Sequence, residues 1–109
     1  MARWGRDFDV LLTPTSAVLP PLAGSVLETQ HAAPDMPVPE VVASVSFTAF
    51  GNVSGLPAVS LPLHFTDAGL PVGVQLTGGP WQEATLISLA AAIERAVPWA
   101  DHRPVLAAA

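Results

Sequence analysis

Apolar and polar positions alternate most regularly over residues 71–78, where Val72, Val74 and Leu76 fall on one face at period two. The opposite face carries Gly73 and Gln75, small enough for another element to approach closely. Residues 58–65 form a second strand-like run, and Thr66-Asp-Ala-Gly-Leu70 between the two supplies turn chemistry. The pair predicts an antiparallel β-hairpin over 58–78. Pro62 inside the first run implies an edge strand or a bulge, because proline cannot donate to a ladder. Residues 9–13, ending at Pro14, predict a third, short strand.

Helical spacing is clearest over 82–97, where Leu86, Leu89, Ala90, Ile93 and Val97 recur at three and four. Glu83 and Arg95 suit the two ends of the dipole, and Pro98 stops the helix. Over 41–55 apolar residues are spaced loosely at three and four, predicting a short helix that ends near Gly55. Phe47, Phe50 and Ser54 would lie close to one side of it. Residues 14–40 hold six prolines and predict a long irregular loop. Arg3 to Arg6 read as the end of a helix, and residues 101–104 as coil. The order is strand, long loop, short helix, hairpin, helix: an α/β pattern with too few strands for a closed architecture.

Composition changes that picture in one respect. Half of the 109 residues are hydrophobic and only 12% are charged, a ratio that suits an interior piece of something larger better than a small free-standing domain. The net charge is −5, and the four basic residues, all arginine, do not cluster, which argues against nucleic-acid binding. Without cysteine there is no disulfide, thiolate metal site or thiol nucleophile. No apolar run is long enough to span a membrane, and the start lacks a signal-peptide apolar region, so a cytoplasmic location is the default.

Motif chemistry is sparse. A serine hydrolase needs a nucleophile with a base in reach. Gly51-Asn-Val-Ser-Gly55 comes nearest to a nucleophile elbow but has its serine one place late, so Ser54 reads as part of a helix end. His31, His64 and His102 are scattered and suggest neither a triad nor a metal site. The aspartates sit at turns and element ends. Gly78-Gly-Pro80 precedes a helix, but Pro80 removes a donor that a phosphate cradle would need. Trp81, at a strand-to-helix junction, could line a pocket.

Three stretches resemble the end of amidase signature enzymes. They are Phe8-Asp-Val-Leu-Leu-Thr-Pro-Thr15, Phe47-Thr-Ala-Phe-Gly-Asn-Val-Ser-Gly-Leu-Pro-Ala-Val-Ser-Leu-Pro62 and Gly69-Leu-Pro-Val-Gly-Val-Gln-Leu-Thr-Gly-Gly79, in that order. The resemblance implies an α/β fold with a mixed central sheet flanked by helices, in which residues 1–109 form a C-terminal portion: late strands and the last helix, incomplete alone. It implies hydrolysis of carboxylic amides by a serine nucleophile, a second serine in a cis peptide and a lysine base, with no cofactor and no metal. This chain has no lysine and no Gly-Gly-Ser-Ser run, so the triad cannot be assembled from it.

The chain is therefore expected to be inactive alone, as a segment from a truncated or split coding region that contributes sheet and pocket wall. Thr13, Thr15, Phe47 and Asn52 are the candidates for lining the substrate cleft. Its partners would be the missing N-terminal amidase portion or a second copy, and a small amide only in the complete enzyme. The alternative is a non-enzymatic remnant or binding module that pairs with a partner chain through its sheet edge. A third possibility is a hydrolase using Ser54 or another serine with a histidine.

Overall fold

The computed structural model describes residues 7–103. The helix end read at Arg3–Arg6 and the coil at Pro104 lie outside them. The elements are β1 (Val10–Pro14), α1 (Ser25–Ala32), α2 (Pro39–Val45), α3 (Thr48–Ser54), β2 (Ala58–Phe65), β3 (Pro71–Gly78) and α4 (Glu83–Ala96).

Strands β2 and β3 form an antiparallel hairpin, and Thr66 closes its turn. The Thr66 N–H donates to the Leu70 carbonyl at 2.9 Å, and its Oγ1 accepts the Leu70 N–H at 3.1 Å. Strand β1 pairs antiparallel with the far side of β3, giving the order β1-β3-β2. Antiparallel ladders alternate pairs that exchange hydrogen bonds with pairs that do not. The Gly78 N–H donates to the Pro57 carbonyl at 3.0 Å, which sets the phase on the β2 side. Leu61 then faces β3 with its backbone groups, while Pro62 faces away, where no N–H is needed. The register also slips between Leu61 and His64, so Pro62 sits on an edge strand and at an irregularity.

Helix α4 crosses β2 and β3 on one face. Leu61, Leu76 and Leu86 are buried there, and Val10, Val59, Leu89, Ile93 and Trp99 close around them. The apolar stripe of α4 is what the spacing from Leu86 to Ile93 requires. Leu76 and Leu61 reach it because they lie on one face, Val59 pairing with Leu76 and Leu61 with Val74. Only the central strand is buried from both sides, over residues 75–78; β1 and β2 keep several exposed positions.

Two expectations are corrected. Residues 14–40 are not one irregular loop, because α1 occupies Ser25–Ala32 and α2 begins at Pro39. The eight residues of α1 contain no proline, and Pro39 occupies the first turn of α2, where its missing N–H costs nothing. The prolines punctuate this segment rather than unfold it. The stretch 41–55 is two helices with a break at Ser46–Phe47, not one. The second ends as expected: Gly55 takes φ +67°, a left-handed conformation that glycine adopts without strain, and its N–H caps the Gly51 carbonyl at 2.9 Å.

Many large apolar side chains of the described residues remain on the surface, among them Leu22, Leu27, Met36, Val53 and Ile87.

Candidate functional site

The sheet face turned away from α4 carries a polar row beside Leu11 and Ala58, which pair with Thr77. On β3 it carries Gly73, Gln75 and Thr77, the alternate set to Val74 and Leu76. Register adds the rest: Thr13 of β1 and Ser60 of β2 both pair with Gln75, so the three form a row across the strands. Thr15 follows β1 and donates its N–H to the Gly73 carbonyl at 2.9 Å.

The central strand of this face is closed in, whereas Ser60 on β2 stays exposed. Thr77 is 0% exposed and Gln75 6%. Such groups need hydrogen-bond partners, since burying an unpaired polar group costs about 1–3 kcal/mol. Gln75 donates through Nε2 to the Phe47 carbonyl at 3.4 Å and to Thr77 Oγ1 at 3.5 Å. The hydroxyls of Thr15 and Ser60 meet at 2.6 Å, directly over Gly73. A Cβ at Gly73 would lie 2.7 Å from Thr15 Oγ1 and 2.8 Å from Ser60 Oγ, so the hydroxyl pair exists because residue 73 has no side chain. Thr13 is the exception. Its Oγ1 is shut from solvent and has no hydrogen-bond partner among the described residues.

Beside Thr15 the surface falls into a cleft of about 360 Å³. Val18, Pro21 and Pro71 supply its apolar walls, and Thr15, Ser44 and Gly73 its polar ones. The chain leaving β1 is tied to α2 there, the Ala17 N–H donating to the Ala43 carbonyl at 3.4 Å. Such a mixture suits a small neutral ligand with an apolar body and a few polar atoms.

Of the four residues singled out from sequence, the structure gathers three around Gln75. Thr13 and Thr15 lie on its face of the sheet, and the carbonyl of half-buried Phe47 accepts its hydrogen bond. Asn52, in α3, is exposed and is not drawn to this face by any side-chain hydrogen bond among the described residues. Ser60, Gln75 and Thr77 complete the group. Their signal was the polar half of the same alternation that gave the hydrophobic one, but only cross-strand register joins them to Thr13 and Thr15.

The remaining candidates have separate roles. Ser54 donates to the Gly51 carbonyl at 3.3 Å and accepts from the Leu56 N–H at 3.4 Å, closing the end of α3. His102 stacks on Phe65 with ring centres 4.4 Å apart, far in sequence from exposed His31 and in a different contact from His64. Among the described residues no group of three or more His, Asp or Glu side chains is placed to hold a metal ion. Nor is any of their helices long and apolar enough to cross a membrane. Trp81 lines neither the cleft beside Thr15 nor the hollow between Phe65 and Trp99; it is 91% exposed, with φ +65°.

Comparison with known proteins gives one consistent answer. The family model described as Amidase matches residues 1–87. A fatty acid amide hydrolase of Medicago truncatula is 38% identical over 101 residues, 92% of this chain and 16% of its own length. One of Arabidopsis thaliana is 37% identical over 97 residues, 85% of this chain and 15% of its own. Among solved structures, that of 6-aminohexanoate cyclic dimer hydrolase superposes with a TM-score of 0.83 at 31% identity, covering 94% of this chain and 22% of that one. The chain thus spans about a sixth to a fifth of the length of these relatives.

Proposed function

This chain belongs to the amidase family, and from that premise we propose that it forms part of an enzyme that hydrolyses carboxylic amide bonds. Its share is structural and positional. It supplies late strands of the sheet, a covering helix and one wall of the substrate cleft. The nucleophilic serine, the bridging serine and the lysine base come from the remaining four-fifths of a full-length amidase.

The observation that carries this reading is the polar row Thr13–Gln75–Ser60, in which Gln75 is buried, Ser60 is exposed, and Thr13 Oγ1 is shut from solvent with no hydrogen-bond partner among the described residues. A sheet face built for packing alone would be apolar. Here hydroxyls and a carboxamide stand next to an apolar cleft, offering donors and acceptors to a group such as an amide, which itself donates and accepts. Phe47 stands at the edge of this row and Thr15 opens onto the cleft; Asn52 would reach substrate only from the outer side of α3. Relatives named for fatty acid amides and for a cyclic amide dimer fit an apolar cleft with a polar end.

Mechanistically, acyl transfer needs a serine that loses its proton as it attacks and donors aimed at the developing oxyanion. The chain has no lysine to accept that proton, so the chain alone is inactive in this reading. The test is an assay on a panel of aliphatic and aryl amides. The purified chain should give no turnover. Turnover should appear when it is combined with a polypeptide carrying the Gly-Gly-Ser-Ser run and the lysine. Sustained hydrolysis by the repurified chain alone would overturn the division of labour.

A further inference from the structure

A second hollow, of about 550 Å³, lies where the closed end of the β2–β3 hairpin meets the chain leaving α4. That volume falls in the range of small-molecule sites. The hairpin contributes Pro62, Phe65 and Pro71, and the segment after α4 contributes Trp99, His102 and Arg103. The polar row Thr13–Gln75–Ser60 takes no part in it. Pro71 also lines the cleft beside Thr15, so the two hollows share a wall.

Local chemistry explains how these side chains meet. Pro98 cannot continue α4, and the chain turns sharply after it. The His102 N–H donates to the Trp99 carbonyl at 3.0 Å, and the Arg103 N–H to the Asp101 carbonyl at 3.0 Å. The turn is pinned to the hairpin at two points. Trp99 packs against the cluster of Leu61, Leu76 and Leu86. His102 stacks on Phe65 with ring centres 4.4 Å apart and planes inclined by 17°. Phe65 and Trp99 are both half-buried, so each ring has one part in the protein and another facing the hollow.

The walls are therefore aromatic rings and prolines, with a cation at the rim. No acidic residue lines the hollow. Arg103 Nε donates to the Ala100 carbonyl at 3.4 Å, and the two terminal amino groups of the guanidinium have no partner among the described residues. Those groups present parallel donors that match a carboxylate. The His102 imidazole brings one more N–H donor. A flat apolar body gains about 0.5–1.5 kcal/mol for each aromatic face it stacks on, beyond the area it buries. A cationic ligand would meet the charge of Arg103. Phosphate, more highly charged and without an apolar body, would lose hydration against these walls and find a single fixed cation in return.

We propose that this hollow binds a small aromatic carboxylate, its ring against Phe65 and Trp99 and its carboxylate on Arg103. The site goes beyond the functional reading above and is independent of it, because binding here needs neither the serines nor the lysine of a complete amidase.

The test titrates the 109-residue chain with sodium benzoate and follows ligand contact by saturation-transfer difference NMR. Half-saturation should fall at about 1 mM or below in low salt. Benzamide, which keeps the ring and loses the charge, should bind at least tenfold more weakly, and benzylamine and inorganic phosphate weaker still. Arg103 is exposed and lies outside every helix and strand, so Arg103→Gln should leave the circular dichroism spectrum unchanged and weaken benzoate at least tenfold. Arg95→Gln, in the last turn of α4 and away from the hollow, should bind benzoate like wild type. Failure of benzoate to bind at about 10 mM would overturn the site. So would equal affinity for benzamide, a comparison that needs no variant, or equal binding by Arg103→Gln. Phosphate competing as well as benzoate would overturn the ligand class, leaving a non-specific anion contact.

Discussion

On the α4 side of the sheet, Leu61, Leu76 and Leu86 are buried against one another, with apolar neighbours on every flank. On the other side Thr77 is buried more deeply still, between Leu11 and Ala58 of the neighbouring strands, and its hydroxyl accepts from the carboxamide of Gln75. The two faces share the same three strands and the same register. They differ in what burial accomplishes. The first removes apolar area from water and stabilises the chain. The second encloses polar groups whose net contribution to stability is small and, at Thr13, unfavourable. That contrast is why the proposed substrate wall is placed on the polar side.

Substitutions can break or sharpen this contrast. The largest effect belongs to the dry side. Leu76→Ala should destabilise the chain by about 3 kcal/mol through lost burial and the cavity left behind, read as a shifted urea midpoint with unchanged slope. A loss under 1 kcal/mol would mean that this face is not the main source of stability. Next is Gly73→Ala, expected to cost about 2 kcal/mol by forcing apart the Thr15–Ser60 hydroxyl pair. In the Ser60→Ala background that cost should shrink, and a double-mutant cycle measures the coupling. Full additivity would show that the hydroxyls do not converge over residue 73. The smallest effect has the opposite sign. Thr13→Val replaces an unpartnered buried hydroxyl with a methyl group and should stabilise the chain by about 1 kcal/mol, while lowering amide turnover in the completed enzyme. Gain in both properties would remove Thr13 from the site.

How much of this was legible in the sequence depends on the range over which each feature is decided. Helix α4 and the β2–β3 hairpin were readable because spacing and turn residues within about twenty positions specify them. Pro62 could be assigned to an edge or bulge from its missing donor alone. Helix α1 was hidden because six prolines dominate the segment 14–40, although none falls within Ser25–Ala32. The break at Ser46–Phe47 is likewise absent from the apolar spacing. The site was half visible. Thr13, Thr15 and Phe47 came from resemblance, and alternation put Gln75 on a strand face without marking it as a site residue; their meeting depends on β1 lying beside β3, which no local pattern encodes. Asn52 was chosen with the same motif as Phe47, and the helix turns it outward.

The pairing of β1 with β3 rather than with β2 also has a kinetic side. Val10 is matched to Gly78 and Pro14 to Val74, so roughly sixty residues must be gathered into a loop before β1 finds its place. The hairpin and α4 can form as a local unit within microseconds to milliseconds, while β1 waits for a distant contact. Of the three strands described, the one earliest in sequence is then the last to join the sheet. In the interval the bare flank of β3 is a template for any extended segment nearby, so yield on expression should depend on how fast β1 arrives.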